Sequence, residues 1–168
     1  NQGLAEARNT AFEYARTEPV FVIDADNLIY PRALASLYRL VRYEGYDAAY
    51  SQLEWFGDIR RLGFSDLWEK ERIRYGNHID AMALISRDSW SRVGGYTHIE
   101  GGWEDFDFWC KMMDHGMRAA YLPEILCRYR VHGESMIETA TNDAEDRLIV
   151  ELTMRHPWLA MKTRDPKK

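Results

Sequence analysis

Pro19-Val20-Phe21-Val22-Ile23-Asp24-Ala25-Asp26 is an uncharged apolar run that ends in two carboxylates one residue apart. Residues 20–23 are β-branched or aromatic, the composition of a strand buried on both faces. Asp24 and Asp26 stand where that strand emerges. In an extended segment, side chains at i and i+2 share a side. Two carboxylates on one side repel each other unless a cation lies between them. Oxygen donors suit a hard divalent ion such as Mg²⁺ or Mn²⁺, and with it a phosphate-bearing substrate. The plainer reading stands beside this one: an Asp at a strand end caps a helix or forms a turn, and Asp26-Asn27 before Pro31 fits such a turn.

Outward from this run, strands and helices alternate. Leu4, Ala7, Ala11 and Tyr14 recur at helical spacing, so residues 3–16 read as a helix and 19–23 as the strand that follows. Pro31 is placed as a first helical residue, Leu34, Leu37, Tyr38 and Val41 form an apolar stripe, and Gly45 ends the helix. Residues 47–53 read as a second strand, 54–64 as a polar surface loop and 65–75 as an amphipathic helix. Residues 81–86 form a further strand, and 87–93 a short helix closed by Gly94-Gly95. Gly101-Gly102 reads as a hinge before a helix over 103–115, with Phe106, Trp109, Cys110 and Met113 on its apolar side. Residues 117–122 and 126–130 read as two short strands, and 143–155 as a last helix. Alternation early and a mixed pattern later imply an α/β fold with at least one antiparallel strand.

A chain of 168 residues, 46% of them hydrophobic, can bury one proper core. The net charge of −5 argues against nucleic acid as the main partner. Cys110 and Cys127 lack zinc-ligand spacing and do not form a disulfide framework, which points to a reducing, cytoplasmic setting. No signal peptide or membrane-length apolar run is present in the sequence. The opening Asn1-Gln2-Gly3 without an initiating Met reads as the start of an excised piece of a larger protein.

Two further stretches carry chemistry. Glu104-Asp105 opens the helix after Gly101-Gly102. A carboxylate there accepts free backbone N–H groups, and the helix end is expected to lower its pKa and keep it ionised. An ionised carboxylate accepts a proton from a hydroxyl in the transition state, and flanking glycines let a loop close over substrate. Trp103 beside them stacks on a sugar ring or joins the core. His132 follows the last strand, in Arg128-Tyr129-Arg130-Val131-His132-Gly133-Glu134-Ser135. Its imidazole can complete a coordination sphere begun by Asp24 and Asp26, a mixed oxygen and nitrogen set that suits Mn²⁺. Arg128 or Arg130 is a candidate phosphate ligand or an ordinary strand-surface charge.

Together these pieces resemble the inverting glycosyltransferases of family 2, which have the GT-A fold. Gly3-Leu4-Ala5-Glu6-Ala7-Arg8-Asn9 is similar to that family's Gly-x-x-x-Ala-Arg-Asn helix near the sugar nucleotide. Asp24-Ala25-Asp26 is similar to its DxD motif, Arg92-Val93-Gly94-Gly95-Tyr96 to its Gly-Gly-aromatic segment, and Glu104-Asp105 to its ED motif. Residues 130–136 resemble the late segment whose His binds the metal. The resemblance covers residues 1–140 and implies the following. The fold is an α/β, GT-A-like mixed sheet flanked by helices (a nucleotide-diphospho-sugar transferase). Residues 1–140 form the C-terminal larger part of the catalytic domain, and 141–168 a terminal helix and charged tail. Asp105 is the catalytic base, with Glu104 beside it. Gly3, Arg8, Asn9, Asp24, Ala25, Asp26, Trp103 and Arg130 bind the nucleotide sugar, and Asp24, Asp26 and His132 bind Mn²⁺ or Mg²⁺. The donor is a nucleoside-diphosphate sugar, a UDP-sugar by preference. The acceptor is a glycan, lipid-linked or protein hydroxyl, in polysaccharide synthesis in the cytoplasm or at the cytoplasmic face of a membrane.

The family begins with an apolar strand and an acidic loop that hold the base and ribose, and nothing before Asn1 supplies them. The chain is therefore expected to lack its first strands, to be impaired in donor binding, and to expose a sheet edge that invites homo-oligomerisation. Two rival readings use the same residues. Phe21 to Asn27 also resembles the nucleophile motif of haloacid-dehalogenase-type phosphohydrolases, with Asp24 attacking phosphorus and Asp26 as acid and base. A non-catalytic remnant used for binding or assembly is the other.

Overall fold

The computed structural model describes residues 3–133 and 141–163. The apolar run enters the sheet as β1 (Pro19–Phe21), and Val22 adds one more bond, its N–H to the Ala83 carbonyl at 3.0 Å. The strand stops short of Ile23 because the chain turns: the Asn27 N–H bonds to the Asp24 carbonyl at 3.1 Å. The paired carboxylates thus sit in a tight turn, not in extended chain, and the shared-side argument for them does not apply.

The remaining elements are α1 (Gly3–Tyr14), β2 (Leu28–Ile29), α2 (Ala33–Arg42), β3 (Ala48–Gly57), β4 (Arg61–Leu62), α3 (Lys70–Ile73), β5 (Ala83–Ser86), α4 (Arg87–Arg92), α5 (Glu104–Asp114), β6 (Ala119–Val131) and α6 (Asn142–Arg155). The sheet runs β1-β5-β3-β6-β2, with β4 hydrogen-bonded to β3. Only the β3–β6 pairing is parallel. Among the described residues β1 has β5 as its only strand neighbour, so it forms one edge of the sheet.

Period-2 alternation sorts residues to the two faces. Ala48, Tyr50, Ala83 and Ile85 face a core built with Phe12 of α1 and Phe106, Phe108, Trp109 and Met112 of α5. Ala49, Leu53, Met82 and Leu84 face Ala33, Leu37, Leu40 and Val41 of α2. The molecule is therefore a sheet between two helical layers. α5 is buried nearly all round, because α6 lays Leu148 and Leu152 into the same core.

Four differences from the sequence reading have physical causes. Pro31 lies in the turn before α2, whose N-cap is Arg32. The expected loop over 54–64 is the far half of β3 and its hairpin partner β4, held by pairing of Glu54–Gly57 with Arg128–Val131. The helix expected over 65–75 shrinks to four residues. Tertiary partners claim the chain before it: the Tyr50 hydroxyl donates to the Asp66 carbonyl at 2.5 Å, and a His78 ring nitrogen faces the Leu67 carbonyl at 3.1 Å. The two late strands are one strand, β6, whose register against β3 slips beside Ser51–Leu53. That slip falls where Pro123 brings no N–H to the ladder.

Candidate active site

A cavity of about 900 Å³ opens beside the carboxyl end of β1. Arg8, Asp24, Ala25, Asp26, Trp103, Glu104, Asp105 and His132 all line it. Residues more than 100 positions apart in the chain therefore converge on one space. Gly3, Asn9 and Arg130 are not among its lining residues.

Arg8 organises the deep wall. It projects from α1, is only 8% exposed, and forks between two carboxylates: Nη1 to Glu104 at 2.7 Å and Nη2 to Asp24 at 3.1 Å. Its guanidinium also lies 5.4 Å from the centre of the Tyr96 ring. Burial opposes its charge, yet the surrounding Asp24, Asp105 and Glu104 raise its pKa further. It stays a fixed cation among acids.

Asn9 builds the frame. Its side chain donates to the Tyr96 carbonyl at 2.9 Å and accepts from the Tyr96 N–H at 2.8 Å and the Trp90 indole at 3.1 Å. Gly95 sits under this clamp at φ +69°, and a Cβ there would fall 2.6 Å from the Asn9 amide oxygen. The Ala-Arg-Asn and Gly-Gly-Tyr stretches are thus two halves of one joint, which aims Arg8 into the cavity.

Trp103 precedes α5 with φ +66°, the only non-glycine residue with positive φ among the described residues. That conformation costs about 1 kcal/mol and is retained where the surroundings impose it. It turns the chain so that Glu104 is buried on Arg8 while half-buried Asp105 faces the cavity. The Asp105 carboxylate accepts the Phe106 N–H at 2.8 Å and the Asn77 side-chain amide at 3.1 Å. The helix end does not win here: burial and the charge of Glu104 push Asp105 up to about 7, against the pull of Arg8 and the Phe106 N–H.

Asp26 and Asp24 part company. Asp24 bonds Arg8, while Asp26 Oδ2 lies 3.2 Å from His132 Nε2. Asn27 anchors the turn to β6, its side-chain oxygen accepting the Arg130 N–H at 2.8 Å. Arg130 donates through Nε to the Asp26 carbonyl at 3.0 Å and stacks on Phe56, so it props the turn from outside. Among the described residues no three His, Cys, Asp or Glu side chains form a metal-binding group. Asp26 and His132 are two adjacent donors; a Mg²⁺- or Mn²⁺-type ion held by few protein ligands and by substrate phosphates fits that pair. Glu134 to Met136 of the late motif lie outside the described residues.

Sequence reading missed Asn77, Asp80, Tyr129 and Phe64, which also line the cavity. Asp80 accepts the Met82 N–H at 2.8 Å, and burial pushes it up to about 6. Burial and the nearby acids raise the Tyr129 phenol to about 12, which keeps it a donor. The only sequence signal for Asn77 and Asp80 is a polar cluster just before the strand at 83–86. Of the tryptophans between α2 and β5, Trp55 lines the cavity, whereas Trp68 packs edge-on to Trp109 in the core.

The mixed sheet flanked by helices matches GT-A glycosyltransferase structures over part of their length. The chain resembles S. aureus TarS 1-349 in complex with UDP-GlcNAc, with a TM-score of 0.68 at 15% identity. That likeness covers 90% of this chain and 47% of the other. It also resembles the mannosyltransferase PcManGT from Pyrobaculum calidifontis in complex with GDP-Man and Mn²⁺, with a TM-score of 0.62 at 19% identity. Here the coverage is 99% of this chain and 46% of the other. The chain thus spans about half the length of these solved structures. No curated protein sequence matches it. The model of glycosyl transferase family 2 matches residues 1–95, and the chain belongs to that family.

Proposed function

We propose that the protein carrying this chain moves a sugar from a nucleoside-diphosphate sugar to an acceptor hydroxyl, with inversion at the anomeric carbon. The observation that carries the reading is the convergence of Asp105, the Arg8–Glu104–Asp24 fork and the Asp26–His132 pair on one cavity. Family membership supports it. So do fold neighbours in complex with UDP-GlcNAc and with GDP-Man and Mn²⁺. The phosphohydrolase reading needs Asp24 free as a nucleophile, and Arg8 holds it.

Asp105 takes the proton of the acceptor hydroxyl, with Asn77 fixing its carboxylate. The oxygen attacks the anomeric carbon from the side opposite the diphosphate. The bond from that carbon to the diphosphate oxygen breaks, and its electron pair leaves with the diphosphate. Asp26 and His132 would hold a divalent ion, which when bound supplies positive charge against the departing diphosphate. Glu104 braces Arg8, and Arg8 keeps Asp24 oriented. Trp103 walls the sugar pocket.

UDP is the proposed nucleotide, and polysaccharide synthesis at the cytoplasmic face of a membrane the proposed setting. No helix among the described residues is long and apolar enough to cross a membrane. The β1 edge is the proposed place for self-association. The test is transfer by Asp105→Asn in the full-length protein, together with calorimetric titration of wild type with Mn²⁺ and UDP or GDP. Undiminished transfer by the variant sinks the role of Asp105. Nucleotide binding by the full-length protein but not by residues 1–168 assigns the missing affinity to sequence outside this chain.

A further inference from the structure

We propose that the acceptor is a pyranose at the end of a glycan, seated on Phe64 and bonded by the loop of Asn77 and Asp80. The inference rests on the transferase reading and narrows the acceptor from any hydroxyl to a sugar ring. Phe64 is 70% exposed although its side chain lines the same cavity as Asp105. Among the described residues its one ring contact is edge-to-face with His78, centroids 6.2 Å apart. The neighbouring Trp55 is engaged: the Arg61 guanidinium lies over its ring at 4.1 Å and Tyr129 tilts against it at 6.4 Å. Phe64 is therefore an aromatic surface of the cavity that stays open to a ligand.

The wall beside it is polar and fixed. The Asn77 side-chain oxygen accepts the Ile79 N–H at 3.0 Å, which directs its amide to Asp105. Asp80 spends one oxygen on the Met82 N–H. Its other oxygen has no hydrogen-bond partner among the described residues. The Trp109 indole donates to the Ile79 carbonyl at 3.1 Å, and His78 reaches the Leu67 carbonyl, so the loop is tied from below. An exposed apolar face next to carboxylate and amide groups matches the two sides of a pyranose, C–H on its face and O–H around its rim. A prenyl chain would leave Asp80 without a bond, and an anionic carrier would meet Asp80 and Asp105 with its own charge.

The test is saturation-transfer NMR and titration of the full-length protein with cellotetraose, chitotetraose and maltotetraose, without donor. At least one is expected to bind. Phe64→Ala should weaken it about 10-fold, as loss of an aromatic contact does. Phe64→Tyr should bind within about twofold of wild type, and Asp80→Asn should bind less tightly with no loss of thermal stability. Saccharide binding untouched by Phe64→Ala overturns the inference. So does binding of farnesyl phosphate or a serine peptide in place of every saccharide, or of none of these probes. Titration of the same samples with UDP and GDP plus Mn²⁺ reads the donor side separately. No nucleotide binding with saccharide binding intact counts against the transferase reading, and with it against the acceptor role, but leaves Phe64 and Asp80 as a saccharide-binding site.

Discussion

Arg8 Nη1 stands 2.7 Å from Glu104 Oε1, across 96 residues of sequence, with both side chains under a tenth exposed. A buried pair of this kind is strongly destabilising to break, because one charge is left without a partner. Arg8→Ala is expected to cost about 3 kcal/mol in urea unfolding, by the usual penalty for an orphaned buried charge. It also removes the cation that pulls Asp105 down. Any residual transfer by Arg8→Ala should therefore need a higher pH than wild type. A variant as stable as wild type, with an unmoved pH profile, refutes this account.

The second prediction concerns Asp105 itself, raised to about 7 by burial and Glu104. A base must be deprotonated, so kcat/KM should fall as pH drops through about 7. Asp105→Asn should cut the rate by roughly 10²–10⁴, the usual worth of a general base. The stability sign runs the other way. A raised pKa favours the folded state below the unfolded value of 3.8, and that favour is lost as pH rises through about 7. Asp105→Asn should therefore melt at a higher temperature than wild type at pH 8 and no higher at pH 3. Equal melting temperatures at pH 8 would show that the raised value is wrong.

Asp26 and His132 give the third prediction, since they sit 3.2 Å apart with exposed edges toward the cavity. If this pair holds the ion, His132→Ala should shift half-maximal Mn²⁺ upward on the order of 10-fold, the scale of losses at metal-site residues. Chelation should abolish transfer, and Mn²⁺ should restore it. Asp24→Asn should act differently. It loosens Arg8 and lowers the rate without moving the Mn²⁺ requirement as far. Identical shifts for the two variants would return Asp24 to the metal.

The sequence carried the site further than it carried the fold's edges. Strand β1 and α5 were readable because their apolar spacing is strict and local, whereas of the stripe expected on α2 only Leu37 and Val41 are buried and Leu34 and Tyr38 are exposed. The β3–β4 hairpin was not, because Glu54 to Gly57 becomes a strand through pairing with β4 and with Arg128–Val131 of β6, far along the chain. Motifs announced Asp24, Asp26, Glu104, Asp105 and His132, but not their partners. Asp24 and Asp26 diverge because one bond, Asn27 to Asp24, turns the chain. Asn77 and Asp80 carry no periodic or motif signal; only the fold places them against Asp105. The expected low pKa of Asp105 failed for the same reason, since burial is a property of the assembled cavity.

The last prediction tests what holds α5, and so Asp105, in place. Asp107, two residues on, is fully buried, yet its carboxylate accepts from Arg155 Nε at 2.6 Å and faces His156 Nε2 at 3.1 Å and Lys111 Nζ at 3.3 Å. The other ring nitrogen of His156 faces Asp114 at 2.7 Å. The end of α6 is thus clamped onto α5 through two carboxylates, Asp107 and Asp114. Burial alone would raise Asp107, but His156, Arg155 and Lys111 outweigh it and hold it well below the usual carboxylate range. A lowered folded pKa contributes stability that is present above the unfolded value of 3.8 and is lost as pH falls through the depressed value. Asp107→Asn should therefore unfold about 3 kcal/mol more easily at pH 7, as removal of one partner from a buried ionic network does. The gap should begin to narrow as pH falls below 3.8, where the unfolded wild type takes up a proton that the folded one still refuses. Urea unfolding of both proteins at pH 7 and pH 3 measures it. A gap that is absent at pH 7, or as wide at pH 3, would mean that packing of Leu148 and Leu152 alone seats the helix.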